Sequence, residues 1–154
     1  MRPIGHMEEV LIGRSVWEWT RLENCMLELL WRLTGLSLED GRLLTERMDP
    51  SRTIVLLRSL GPRKLKDDLL QTIIDLLATA EQLRDDRNFI VHGTWHIIDP
   101  EGVPVAASLR VKSEPGQVVS ESFPRSRMLA IIREIQKTRE QLSILLRSVP
   151  WTSE

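Results

Sequence analysis

The chain has 154 residues, 42% hydrophobic and 28% charged, with a formal net charge of −1. That length and apolar content suit a single globular domain, residues 1–154, with a real core, and the near-zero charge argues against a protein that coats nucleic acid without specificity. The lone Cys25 excludes an internal disulfide and fits a reducing compartment, so the cytoplasm is the expected location.

The expected fold class is mainly α, a helical bundle with a small antiparallel β-meander inserted before the last helix. The first helix is predicted from about Glu8 to Leu33, closing at Gly35. Ile12, Val16, Trp19, Met26, Leu30 and Leu33 form one apolar stripe, with Leu11, Leu22, Cys25 and Leu29 beside it. A helix apolar on two faces calls for a bundle core on one side and a partner subunit on the other, so a homodimer is expected. Glu23 takes the one polar place in the first stripe, and is expected opposite Arg87 as a salt bridge or, alternatively, as a site carboxylate. Cys25 reads as a small core residue, and Trp17, Trp19 and Trp31 as core or interface. Gly5-His6-Met7 resembles a remnant of cloning, so His6 is given no role.

Ser37-Leu38-Glu39-Asp40 has the form of a capping box for a short helix to about Met48, and Asp49-Pro50 opens another to Leu60. Gly61-Pro62 reads as a break, with Pro62 opening a continuous helix to His92. Its core-facing stripe is Leu69, Ile73, Leu76, Ala80, Leu83, Arg87 and Ile90, apolar except at Arg87. A guanidinium there needs an ion-pair partner, Glu23 or Asp85, or a phosphate. Gly93 suits a left-handed closing residue, and the helix end favours an imidazolium at His92. At about 100° per residue Asn88 lies nearly beneath His92 with Arg84 one turn lower, while Arg87 points about 140° away. Arg87 and His92 are therefore expected to meet only if the last turn loosens or a second molecule supplies its own copy.

After Gly93 the period becomes that of strands, at Trp95–Ile98, Val103–Lys112 and Gln117–Ser122, separated by Asp99-Pro100-Glu101-Gly102 and Ser113-Glu114-Pro115-Gly116. Pro104 makes its strand an edge or marks its start. His96 is expected at the surface as a secondary site candidate. The last helix is predicted from Pro124 to Ser148, with Trp151 docking its end. Charge is uneven: residues 7–50 hold nine acidic and five basic side chains, whereas Arg52, Arg58, Arg63, Lys64 and Lys66 run without an acid, and residues 124–149 are also basic. Two basic segments could line a polyanion groove, or could be solvated helix faces.

No phosphate loop, paired metal ligands or nucleophile elbow is present, no apolar run is long enough to span a membrane, and neither metal nor cofactor is expected. Arg87-Asn88-Phe89-Ile90-Val91-His92, followed by Gly93, resembles the Arg-polar-x3-His signature of the HEPN superfamily. The resemblance covers about ten residues near the end of a long helix; the meander departs from the minimal HEPN bundle. It implies Arg87 and His92 as catalytic and Asn88 as the polar residue shaping the site, with Arg84, Glu23 and His96 as binding candidates. It also implies a dimer whose two motifs face each other, RNA as substrate, a metal-independent endoribonuclease used as a toxin or against phage, and a protein antitoxin as a candidate partner. Other members of the superfamily do not cut. Metal-free RNA cleavage needs a base, an acid and positive charge on the phosphorane, which two copies of His92 and Arg87 across a two-fold axis could supply. The alternatives are a HEPN-like domain that binds RNA or a nucleotide without cutting, and a helical interaction module whose charged motif is structural.

Overall fold

In the computed structural model the chain is mainly α-helical: α1 (His6–Thr34), α2 (Leu38–Thr45), α3 (Pro50–Lys64), α4 (Asp67–His92), strands β1 (Thr94–Ile98), β2 (Val105–Val111) and β3 (Val118–Ser122), and α5 (Arg125–Leu146). The structure describes residues 4–98, 105–111 and 118–151; the two expected turns of the meander and Pro104 lie outside them. Two compact units result, Met1–Trp19 with Leu83–Ile135, and Thr20–Gln82 with Gln136–Glu154. Each is built from discontinuous segments.

The second unit is helical. Leu22, Met26, Leu29, Leu30 and Leu33 of α1 are buried, as are Ile54 and Leu57 of α3, Ile73, Leu76, Leu77 and Ala80 of α4, and Leu142 and Leu146 of α5, each at the helical spacing that makes one apolar stripe. α1 closes at Gly35, the described glycine with left-handed backbone (φ 74°), and Leu36 N–H reaches back to Trp31 O (3.0 Å). Ser37 caps α2 by accepting from Asp40 N–H (3.1 Å), and Asp49 caps α3 by accepting from Ser51 N–H (2.8 Å). Gly41 lets α2 lie against the Trp31 ring, whose indole N–H donates to Thr45 Oγ1 (3.2 Å). Arg32 of α1 donates to the carbonyls of Leu146 and Val149 (2.6 Å each), satisfying the end of α5, and its guanidinium lies 4.9 Å from the Trp151 ring centre.

The break expected at Gly61-Pro62 is not there. α3 runs through Pro62 to Lys64, and the helix that reaches His92 starts at Asp67, so residues 62–92 are not one continuous helix. Pro62 sits in the last turn of α3, where losing its N–H removes one hydrogen bond, and Leu65 N–H still closes onto Gly61 O (2.9 Å). Gly61 lies close to α4: a Cβ would meet Leu70 Cδ1 at 2.9 Å, a contact that the end of the leucine side chain can relieve by shifting. An ion pair from Arg58 to Glu81 (2.9 Å) joins the same two helices.

The first unit holds the sheet, of order β1-β2-β3 and antiparallel throughout, with Trp95 opposite Ser108, His96 opposite Ala107 and Ala107 opposite Ser122. Leu83, Ile90, Ala107, Phe123, Met128, Ile131, Ile132 and Ile135 are buried in this unit, with Leu11 and Trp19 of α1. Glu8, also buried, accepts from Arg125 Nε at 2.7 Å. That bond holds its carboxyl below the ordinary glutamate value, more than burial raises it.

Two outcomes are expected. Gly41→Ala would put a Cβ 2.5 Å from Trp31 Cγ, and should lower the unfolding free energy by about 1–3 kcal/mol in chemical denaturation. Because the folded state lowers the Glu8 pKa, its pairing adds stability above the ordinary value of 4.5 and loses it as pH falls through the lower folded value. Melting curves taken down to pH 3 should therefore show a shallower acid-side fall in Arg125→Gln than in the parent.

Candidate functional site

The motif residues occupy the last turns of α4. Leu83 and Ile90 are buried, Arg87 and Asn88 are half-buried, and His92 stands in solvent at the helix end. The helix stays regular to its last turn, with Gly93 N–H bonded to Phe89 O (3.2 Å). Gly93 is not among the glycines with positive φ: the chain passes directly into β1 at Thr94, so no reversal is needed.

Arg87 and His92 meet within one chain. Arg87 Nη1 donates to Asn88 Oδ1 (3.2 Å) and lies 3.4 Å from His92 Nε2. The expectation that a regular helix keeps them apart fails because it followed the Cα–Cβ directions alone. A guanidinium on a long, flexible stem reaches round the helix surface. Since a guanidinium only donates, the contact makes His92 Nε2 the acceptor, an imidazole nitrogen with its lone pair available.

The carboxylates around the motif are committed elsewhere. Asp85, one of the two expected partners of Arg87, lies 3.3 Å from Arg84 Nη2. Asp86 accepts from Arg127 Nη2 (3.0 Å), and Glu121 of β3 accepts from the same nitrogen (2.8 Å). Glu23, the other expected partner, lines a cavity of the second unit with Asn24, Met26, Thr45 and Met48. Among the described residues no carboxylate pairs with Arg87. Arg84 Nε and Arg87 Nε are both buried without a hydrogen-bond partner there, a condition that disfavours the present pose by about 1–3 kcal/mol per donor.

Arg127 was not singled out by its sequence position, yet it ties three elements together. Besides its two carboxylates it donates to Ser122 O (2.9 Å), and its guanidinium lies 4.1 Å from the Phe123 ring centre. Phe123 is fully buried and faces Phe89 (6.2 Å between centroids) and Trp95 (5.6 Å, edge-on), while Trp95 Nε1 donates to Ile90 O (2.8 Å). The only hint in the sequence was aromatic density around a helix end. His96 is not at the surface: it is 5% exposed, opposite the buried Ala107, with Nδ1 3.4 Å from Thr94 O. Trp95, next to it, is only half-buried, so the strand's two faces are not divided as its polarity suggested. Cys25 is half-buried, and its thiol is pushed up chiefly by burial and then by Glu28, which leaves it a poor nucleophile.

Several basic side chains expected to line a polyanion groove are paired within their own units, Arg58 with Glu81, Arg125 with Glu8 and Arg127 with Asp86 and Glu121. Among the described residues no helix is long and apolar enough to cross a membrane. No protein-family model matches the chain, and no curated protein or solved structure matches it.

Removing Arg87 strands no carboxylate. Arg87→Ala should therefore leave the unfolding free energy within about 0.5 kcal/mol of the parent, or raise it. A structural ion-pair member would instead lose about 3–5 kcal/mol in the same denaturation experiment.

Proposed function

We propose that the protein is a metal-independent endoribonuclease of HEPN type, acting as a dimer whose two Arg87–His92 sites form one composite centre. The observation that carries this reading is the Arg87 guanidinium, without a carboxylate among the described residues and 3.4 Å from an accepting imidazole nitrogen at an exposed helix end. A cation held beside an imidazole, with no carboxylate on it among the described residues, suits a phosphodiester. Buried Nε–H groups on Arg84 and Arg87 supply further donors when those side chains turn onto phosphate oxygens.

The chemistry follows from those groups. His92 Nε2 takes the proton from the 2′-hydroxyl, whose oxygen attacks phosphorus. The P–O5′ bond breaks, and the leaving oxygen takes a proton from His92 of the partner subunit in its protonated form. Arg87 stabilises the charge that builds on the non-bridging oxygens, and Asn88 holds Arg87 in place. The products are a 2′,3′-cyclic phosphate and a 5′-hydroxyl. Met7, Val10 and Trp17 are 50%, 48% and 64% exposed and fall within about 80° of one another on α1, an apolar face in the same unit as the motif that a second subunit would cover. Use as a toxin or in phage defence, with an antitoxin as partner, belongs to the same reading. A binder that does not cut is the second reading, favoured by the long Arg87–His92 contact, which lets phosphate enter without requiring proton transfer.

The test is incubation of structured RNA with the protein in EDTA, alongside light scattering at micromolar concentration. The expected result is a dimer that leaves 2′,3′-cyclic phosphate ends, with Arg87→Ala and His92→Ala each reducing cleavage by at least about a hundredfold. A monomer, or full activity in His92→Ala, overturns the composite-site mechanism. RNA binding without any cleavage turns the conclusion to the second reading.

A further inference from the structure

We propose that Arg127 is a positioning residue that acts by allocating charge: it holds the Asp86 carboxylate away from Arg87, so that the Arg87 guanidinium stays on Asn88 and His92. The inference deepens the reading of Arg87 and His92 as a phosphate site. Its geometric basis is separate, and so is its spectroscopic test.

Asp86 precedes Arg87 in sequence, and adjacent guanidinium and carboxylate groups on this helix can pair, as Arg84 does with Asp85 at 3.3 Å. An unoccupied Asp86 would be the nearest anion in sequence for Arg87, and a charge-assisted bond to it would be stronger than the neutral bond to Asn88 or the long contact to His92. Arg127 prevents this by taking Asp86 at 3.0 Å and Glu121 at 2.8 Å on the same nitrogen. Its own position is fixed independently, by the bond to Ser122 O and by the face of the buried Phe123 ring. Two acids close to the motif are thus engaged by one base from α5, and the adjacent acid Asp85 is taken by Arg84. Among the described residues the motif is left with a guanidinium that no carboxylate pairs, although three acidic residues stand in its neighbourhood.

Nitrogen-15 NMR of labelled histidine reads the consequence directly. While Arg87 donates to His92 Nε2, the neutral ring is held with its proton on Nδ1; without that contact a free imidazole favours the proton on Nε2. The parent should show the Nδ1–H form at His92. In Arg127→Gln the released Asp86 should draw Arg87 off the ring, moving His92 to the Nε2–H form and lowering RNA cleavage by about tenfold or more. Asp86→Asn in the Arg127→Gln background should restore both, and Asp86→Asn alone should leave both as in the parent.

A purely structural ion pair gives a different pattern, in which Asp86→Asn alone is as damaging as Arg127→Gln and the double variant recovers nothing. That pattern overturns the proposal, as does a folded Arg127→Gln protein that keeps the Nδ1–H signal. Should Arg127→Gln fail to fold, Asp86→Asn alone decides: a retained signal supports the inference and a lost one overturns it. Should the parent cut no RNA, the NMR results still decide the role of Arg127, and only the ribonuclease reading falls.

Discussion

One guanidinium, that of Arg127, fixes the end of α4. It is bonded to a carboxylate of α4, a carboxylate and a carbonyl of β3, and packed on the ring of Phe123, the residue that joins β3 to α5. Phe123 in turn meets Phe89 of α4 and Trp95 of β1. The polar clamp and the aromatic cluster are two sides of the same junction. The clamp orients the helix end, and the rings remove its apolar surface from water. Arg87 and His92 project from a helix terminus secured in this way, which is how groups on a final turn, normally prone to fray, can keep a common geometry.

Electrostatic pairing elsewhere in the molecule follows a similar economy. Arg32 combines Glu28 (2.5 Å) with the terminal carbonyls of α5, so that one side chain satisfies both a charge and a helix end. Arg125 neutralises a glutamate that would otherwise be buried alone. Against this background an arginine whose neighbours are an amide and an imidazole is an exception. Exceptions to local satisfaction concentrate where a protein meets a ligand.

Periodicity made much of this legible. The limits of α1 and α5, the three strands, the capping residues Ser37 and Asp49, and the single charged interruption at Arg87 can all be read from spacing and turn residues, because those signals are local. What escaped was set by side-chain reach or by distant partners. Gly61-Pro62 has the composition of a break, yet Gly61 answers to Leu70 of a different helix and Pro62 falls where one lost bond is tolerated. Helix angles separate Arg87 from His92, but they describe Cβ directions and not the ends of long side chains. The polarity of His96 points to exposure, but it is buried on a strand paired with β2, opposite Ala107. Nothing near Arg127 in sequence announces Asp86, which is 41 residues earlier.

The contacts that Arg32 and Arg125 make span far greater lengths of chain, 114 and 117 residues to Leu146 and Val149 for the first and 117 to Glu8 for the second. Both compact units include a part of α5, and both include a part of α1. Neither is a continuous stretch that could fold as it leaves the ribosome. α1 must wait through the synthesis of almost the whole chain before the arginine and the carbonyls it pairs with exist, and Asp86 stays unclamped until α5 emerges. The setting of the Arg87–His92 pair is thus tied to completion of α5: a nascent chain stalled before that helix would carry the pair without the junction that steadies it.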